Sequence, residues 1–260
     1  MADQSAPAAE PGVPPVLPRA VAAGRGASWW GEAWRLFVPA VGVWVLIVLI
    51  LVVLNVILAI IPVVGHLASH VLFPVFVGGL MLGCRAIDRG EALTVNHVFA
   101  GFSKHAGSLV VVGLLYTAIA VAIVLAVAGV LIVAFGVAVL SKLFQLQDPL
   151  SAGVALGGML LVVLVGALLF TLLFLPLVMA VWFAPALVVL RGLEPWAAMK
   201  LSFGGCLENV VPFLIYGLVG IGLAIVASVP LMLGWLVVGP LTIASIYTSY
   251  CDIFEDARVS

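Results

Sequence analysis

Residues whose types and spacing could support chemistry are few in this chain of 260 residues. His66 and His70 have the i, i+4 spacing with which two imidazoles on one helix face bind zinc, but no third ligand accompanies them. Cys84, Cys206 and Cys251 include no CxxC pair, which a redox centre would favour. The start of a helix at the membrane surface is the favoured interpretation of the two histidines, and the sequence predicts no metal and no cofactor.

Enzyme signatures are also missing from the sequence. It contains no Walker loop, nucleophile elbow, HExxH motif or dinucleotide fingerprint. The acids Asp88, Glu91 and Glu194 have an arginine within three residues, and we expect them and Glu208 to form ion pairs at the surface. We therefore predict no catalytic residue and a non-enzymatic protein.

Composition places the chain in the membrane. Hydrophobic residues make up 65% of it, charged residues 8%, and the mean hydropathy is +1.38. Soluble domains have roughly a quarter charged residues. The net charge of -1, without basic blocks, excludes a nucleic-acid partner.

The apolar pattern predicts an all-α polytopic membrane protein with six transmembrane helices. Residues 1–27 read as a flexible cytoplasmic tail rich in Pro and Ala, and residues 28–256 as one membrane domain. We expect spans at about 38–61, 71–84 (starting within the preceding turn), 107–140, 154–190, 210–229 and 231–250.

Three short segments, each preceding a pair of spans, carry aromatic residues at helical spacing. Such segments are typical of amphipathic helices that lie at the membrane surface and anchor there. The predicted interfacial anchors are Trp29, Trp30, Trp34, Phe99, Phe102, Trp196 and Phe203.

Basic residues predict the orientation. Nine of the ten lie on one side of the predicted spans, and only Lys142 lies on the other. By the positive-inside rule, both termini and the charged turns are cytoplasmic.

Comparison of the chain with itself indicates three related units. A shift of 166 residues pairs Trp30 with Trp196 and Pro74 with Pro240, and a shift of 102 pairs Pro74 with Pro176. We predict units of about 28–91, 92–194 and 195–256, each an interfacial helix followed by a hairpin of two spans. The middle unit has about 37 additional, mostly apolar residues, which should tilt, lie along the outer interface, fold back into the outer leaflet or pack on a partner.

Prolines and one amide are the candidate positions within the spans. Pro74, Pro176, Pro185 and Pro240 fall in the even-numbered spans, where each removes a backbone hydrogen bond and bends its helix. Such bends serve packing or line a cavity, and Asn55 bridges helices or contacts a ligand.

Glycines at small-xxx-small spacing accompany these positions. Gly79 with Gly83, and Gly153 with Gly157, have the spacing that permits close helix contact.

Three stretches carry a family resemblance: GGLMLGCRAIDRGE, WFAPALVVLRGLEPWAAMK and YTSYCDIF. They resemble an uncharacterised family of proteobacterial inner-membrane (hypothetical transmembrane) proteins, over most of residues 28–256. The layout alone is similar to YciC-type proteins and to the membrane domain of some glycerophosphodiester phosphodiesterases. The resemblance implies the bacterial inner membrane but no activity.

We expect a scaffold, assembly or accessory subunit of a membrane complex, since the span centres hold no ionisable group. Its partners would be membrane lipids and another protein or a second copy. The alternative is a transporter or lipid-handling protein with a cavity among the proline-kinked, even-numbered helices.

Overall fold

The computed structural model describes residues 17–255, apart from residue 104 and residues 145–150. Within this part the chain is helical and contains no strand. Two segments, Val38–Ala40 and Val95–Phe102, are 3-10 helices. The α-helices of the described residues are α1 Arg25–Phe37, α2 Val41–Ala59, α3 Val64–Asp88, α4 Ala106–Phe144, α5 Ser151–Trp182, α6 Ala184–Arg191, α7 Pro195–Glu208, α8 Val210–Ser228 and α9 Trp235–Phe254.

Six helical stretches of the described chain are long and apolar enough to cross a membrane. They are Arg25–Ala59, Val64–Asp88, Ala106–Gly136, Gly157–Arg191, Val210–Ser228 and Trp235–Phe254. The predicted all-α, multi-pass membrane class is therefore confirmed.

The protein core lies at the end of the bundle where α3, α6 and α9 end. Buried residues fill α3 from Pro74 onward and α9 from Val238 onward, whereas α2 buries only Trp44 and Ile47. Toward the other end most apolar side chains face outward, as lipid allows.

The prolines take two kinds of position. Pro74 and Pro240 are buried inside α3 and α9, and Pro176 is exposed inside α5. Pro185 lies instead in the first turn of α6, because the helix breaks at Phe183. Proline suits this place, since its missing N–H would have had no helical partner there.

Ser202 of α7 satisfies the backbone groups freed by that break. Its hydroxyl donates to the carbonyl of Met179 (2.7 Å) and accepts from the N–H of Phe183 (2.9 Å). The Ser202 side chain is fully buried. This hydroxyl thus links α7 to the junction of α5 and α6.

The segment 95–102 packs directly on α3 through glycine. A Cβ added to Gly79 would lie 2.4 Å from the carbonyl oxygen of His97, and one added to Gly101 would lie 2.0 Å from that of Val75. Only glycine permits this approach. The predicted close contact is confirmed for Gly79 and Gly83, whereas a Cβ on Gly157 would meet nothing within 4 Å.

Candidate functional site

Charged side chains converge where the core lies. Asp252 of α9 accepts hydrogen bonds from Nε of Arg25 (2.6 Å) and Nε1 of Trp29 (2.9 Å). Arg85 of α3 pairs with Glu255 and donates to the hydroxyl of Tyr247 (3.0 Å). These bonds tie α1, α3 and α9 together.

The Tyr247 hydroxyl also donates to Asp88 (3.0 Å), and Arg191 at the end of α6 donates to the Tyr250 hydroxyl (3.3 Å) and the carbonyl of Phe254. A cavity of about 440 Å³ opens beside this network. Its lining includes three arginines and four acids: Arg19, Arg25, Arg35, Glu32, Asp88, Asp252 and Glu255. The opposite charges of this lining nearly balance.

The chain before α1 belongs to this network. The N–H of Val21 donates to the side-chain oxygen of Asn209 (2.8 Å), and the N–H of Arg19 donates to the carbonyl of Ile253 (3.0 Å). Residues 19–27, predicted as tail, are thus attached to the folded domain. The rest of that prediction, residues 1–16, lies outside the described residues.

The predicted aromatic anchors divide into two groups. Trp29 and Trp30 are buried, and Trp30 stacks on Tyr216 of α8 with ring centroids 4.7 Å apart. These two rings therefore pack in the protein core. The others retain exposed surface: Trp34, Phe99, Phe102, Trp196 and, half-buried, Phe203.

A cleft of about 720 Å³ lies between α2, α3 and α9. Its walls are mostly apolar, and it reaches two predicted cavity positions, Asn55 and Pro240. Trp44, Ile47 and Leu80 close it at one end. Its complete lining is Trp44, Ile47, Val48, Leu51, Val52, Asn55, Val56, Ala59, His66, Ser69, His70, Leu80, Gly239, Pro240 and Ile243.

Pro74, Pro176 and Pro185 are not among the lining residues, so only one of the four predicted bends meets this cavity. The cleft also lies beside α2, an odd-numbered span. Sequence reasoning missed Ser69 and the cleft-facing positions of α2, because nothing in the apolar pattern of α2 separates them from its lipid-facing positions.

Helices α4 and α5, which we call the α4–α5 hairpin, form the longest helix pair among the described residues. With 39 residues, α4 is about 58 Å long at 1.5 Å per residue. It runs antiparallel to α3, because Leu109 meets Gly78 and the rings of Tyr116 and His70 lie 6.2 Å apart.

That register locates the first residue of α3 beside the hairpin. Since α3 begins at Val64, six residues before His70, its first turn lies beside residue 122 of α4. The remaining 22 residues of α4, 123–144, extend about 33 Å further. The neighbouring α5 follows α4, with Gly166 against Leu131. Fold-back of the insertion, one predicted alternative, is absent from the described parts of both arms.

A scan of protein-family models and searches of curated proteins and solved structures found no match to this chain. Function must therefore be argued from the geometry.

Possible metal ligands are not clustered in the described residues. No group of three or more His, Cys, Asp or Glu that could hold a metal occurs there. All three cysteines are buried, and burial raises the pKa of the Cys206 thiol to about 12, so it is protonated and a poor nucleophile near neutral pH.

Proposed function

We propose that the protein is a non-enzymatic scaffold or accessory subunit of a membrane complex, and that the outer half of the α4–α5 hairpin binds its partner. The observation that carries this proposal is the hairpin's length. A bilayer core is about 30 Å thick, which the 25 residues of α3 already match at about 37 Å.

Tilting does not solve the mismatch of α4. A 58 Å helix would need a tilt of about 60° to fit a 30 Å core, whereas membrane helices tilt by about 20° on average. Since α4 runs alongside α3 from Leu109 to Tyr116, such a tilt would have to apply to α3 as well. The outer half of the hairpin, residues 123–144 of α4 with the neighbouring part of α5, therefore extends beyond the bilayer core. We call this part the outer hairpin.

The outer hairpin is too apolar to stand in water. Thirteen large apolar side chains between residues 123 and 168 are 42–72% exposed, among them Leu125, Ile132 and Leu168. At roughly 1 kcal/mol for each half-exposed side chain, the unfavourable hydration is on the order of 10 kcal/mol. That equals the whole stability of a typical domain, so this surface needs a cover.

We propose that the apolar helical surface of another membrane protein packs on the outer hairpin and shields it from water. The hairpin offers two long, uncharged helix faces, and residues 106–141 contain no charged residue. Helix-on-helix packing is the mode that such faces support.

Site-specific photo-crosslinking in native membranes tests this proposal. A photoreactive amino acid at Ile132 or Leu164, both exposed on the outer hairpin, should give one discrete protein adduct. The matched control is Leu218 of α8, which is 69% exposed within a span and should give lipid adducts only. Lipid adducts alone at all three positions would refute the partner surface. An adduct of twice the protein's mass would identify a second copy as the partner.

We further propose that the charged end of the bundle is cytoplasmic, in the bacterial inner membrane, with the hairpin tip on the opposite side. The positive-inside pattern supports this orientation. Cysteine at Leu140, which is 56% exposed, would then react with an impermeant maleimide from the outside of intact cells. The buried natural cysteines supply little background. Labelling only after the cells are opened would refute the orientation.

We also propose that the three predicted units are arranged in a closed ring. In support, each short segment packs on the unit before it: segment 95–102 on α3, α7 on α5 and α6, and α1 on α8 and α9. The turns after the first two units also share a feature, since Gly90 and Gly192 both have positive φ, at 80° and 67°. Glycine favours this conformation at helix ends.

A transporter or lipid-handling role is the second candidate. The cleft favours it, because Asn55 and Pro240 both line this cavity.

A further inference from the structure

We propose that the cleft between α2, α3 and α9 is a binding site for one acyl chain of a membrane phospholipid, with the lipid headgroup at His66, Ser69 and His70. The site is separate from the hairpin surface. It deepens the lipid-handling candidate and is independent of the scaffold proposal.

The depth of the cleft matches one leaflet of a bilayer. Along α2 its lining extends from Trp44 to Ala59, a rise of about 22 Å, and half of a bilayer with its headgroup region is about 20–22 Å. Its inner end is closed by Trp44 and Ile47, which are 1% and 0% exposed. An acyl chain that lies along the cleft would thus end on the protein core.

Tight packing closes the α2–α3 turn at the opposite end. A Cβ added to Gly65 would lie 1.7 Å from the carbonyl oxygen of Leu58, so the two helices touch there. Between this turn and the core, the cleft lies between α2, α3 and α9. The opening faces sideways into the membrane, where Val52 and Val56 are more than half exposed. A ligand therefore enters from the lipid, which identifies the source of the chain.

The few polar groups of the cleft are grouped toward one end. His66, Ser69 and His70 lie in the first two turns of α3, at the level where α2 ends. Imidazole and hydroxyl groups can donate hydrogen bonds to phosphate oxygens. Asn55 lies four residues, about 6 Å, below the end of α2, and its amide nitrogen donates to the carbonyl of Leu51 (2.9 Å). The second N–H of that amide can reach the ester region of a lipid.

The volume suits such a ligand. Ligand pockets usually measure about 300–1,000 Å³ and are mainly apolar with a few polar groups, as this cleft of about 720 Å³ is.

Photolabelling of the full-length protein in liposomes tests the site. The probe is phosphatidylglycerol with a diazirine on one acyl chain, added in trace amount to phosphatidylethanolamine, and labelled peptides are identified by mass spectrometry. Val52→Trp fills the cleft. Val53→Trp is the matched control, since Val53 is 56% exposed but does not line the cleft.

We expect labelling of residues 239–243 in the native protein and in Val53→Trp. In Val52→Trp this labelling should fall about tenfold, the fall that corresponds to a loss of about 1.4 kcal/mol of binding. Equal labelling in both variants, or equal labelling of α8 and the cleft, would show only surrounding bilayer lipid and overturn the proposal. Should Val52→Trp fail to fold, Val56→Trp provides the same test.

A second probe examines the headgroup. Diacylglycerol with the same diazirine chain lacks the phosphate, so the double variant His66→Ala, His70→Ala should lower labelling by the phospholipid and not by diacylglycerol. Equal effects on both probes would overturn the headgroup assignment. Because none of these residues lies on the hairpin, loss of lipid labelling and loss of the protein crosslink are separate outcomes.

Discussion

The contact between α3 and segment 95–102 predicts opposite effects for two glycine substitutions. A Cβ on Gly79 would lie 2.4 Å from the carbonyl oxygen of His97 and 3.0 Å from the N of Gly101. Since ordinary contacts begin near 3.4 Å, Gly79→Ala must open this interface by about 1 Å. A gap of that size loses a quarter to a half of the dispersion energy of the separated atoms.

The expected change in the free energy of unfolding of Gly79→Ala is the sum of two opposing contributions. Overpacking of this kind destabilises by about 1–3 kcal/mol or more, whereas Gly→Ala within a helix gains up to about 1 kcal/mol. Gly217 of α8 is the control, because a Cβ there would meet nothing within 4 Å and only the gain remains. The gain is common to both variants and cancels, so we expect Gly79→Ala to be less stable than Gly217→Ala by about 1–3 kcal/mol.

The assay is equilibrium unfolding in mixed micelles with increasing SDS, followed by circular dichroism. Equal free energies of unfolding for Gly79→Ala and Gly217→Ala would refute the reasoning that backbone contact at Gly79 holds segment 95–102. Because this segment leads into α4, Gly79→Ala should also weaken the crosslink at Ile132 if the hairpin is displaced at its base.

Three other predictions concern the core and the ring arrangement. Ser202→Ala leaves the buried N–H of Phe183 unpaired and should destabilise by about 1–3 kcal/mol in the same assay, whereas Ser202→Thr, which keeps a hydroxyl, should recover part of this loss. Asp252→Ala removes the acceptor of the buried Trp29 N–H and of the more exposed Arg25. We therefore expect the free energy of unfolding to fall by about 2–4 kcal/mol. Glu208→Ala, at an exposed position, is the control and should change it little. A circular permutant that begins at Leu93 and joins residue 255 to residue 17 should fold, because the Arg19 N–H already donates a hydrogen bond to the carbonyl of Ile253. If this permutant did not insert as a monodisperse protein, the result would count against the closed ring.

The sequence by itself determined the membrane class, the six spans and the concentration of charge at one end. These features depend on composition and on uninterrupted apolar length, which are local properties of the chain. Even the close approach at Gly79 was foreseeable, because its spacing from Gly83 is a local signal.

Only the tertiary structure decided which apolar residues face protein and which face lipid. Lipid tails are as apolar as leucine, so hydropathy does not separate Trp29 in the core from Trp34 at the surface, or Val52 in the cleft from Val53 outside it. The structure also showed that both arms of the apolar insertion are continuous helices, whose length beyond α3 is the basis of the proposed partner surface.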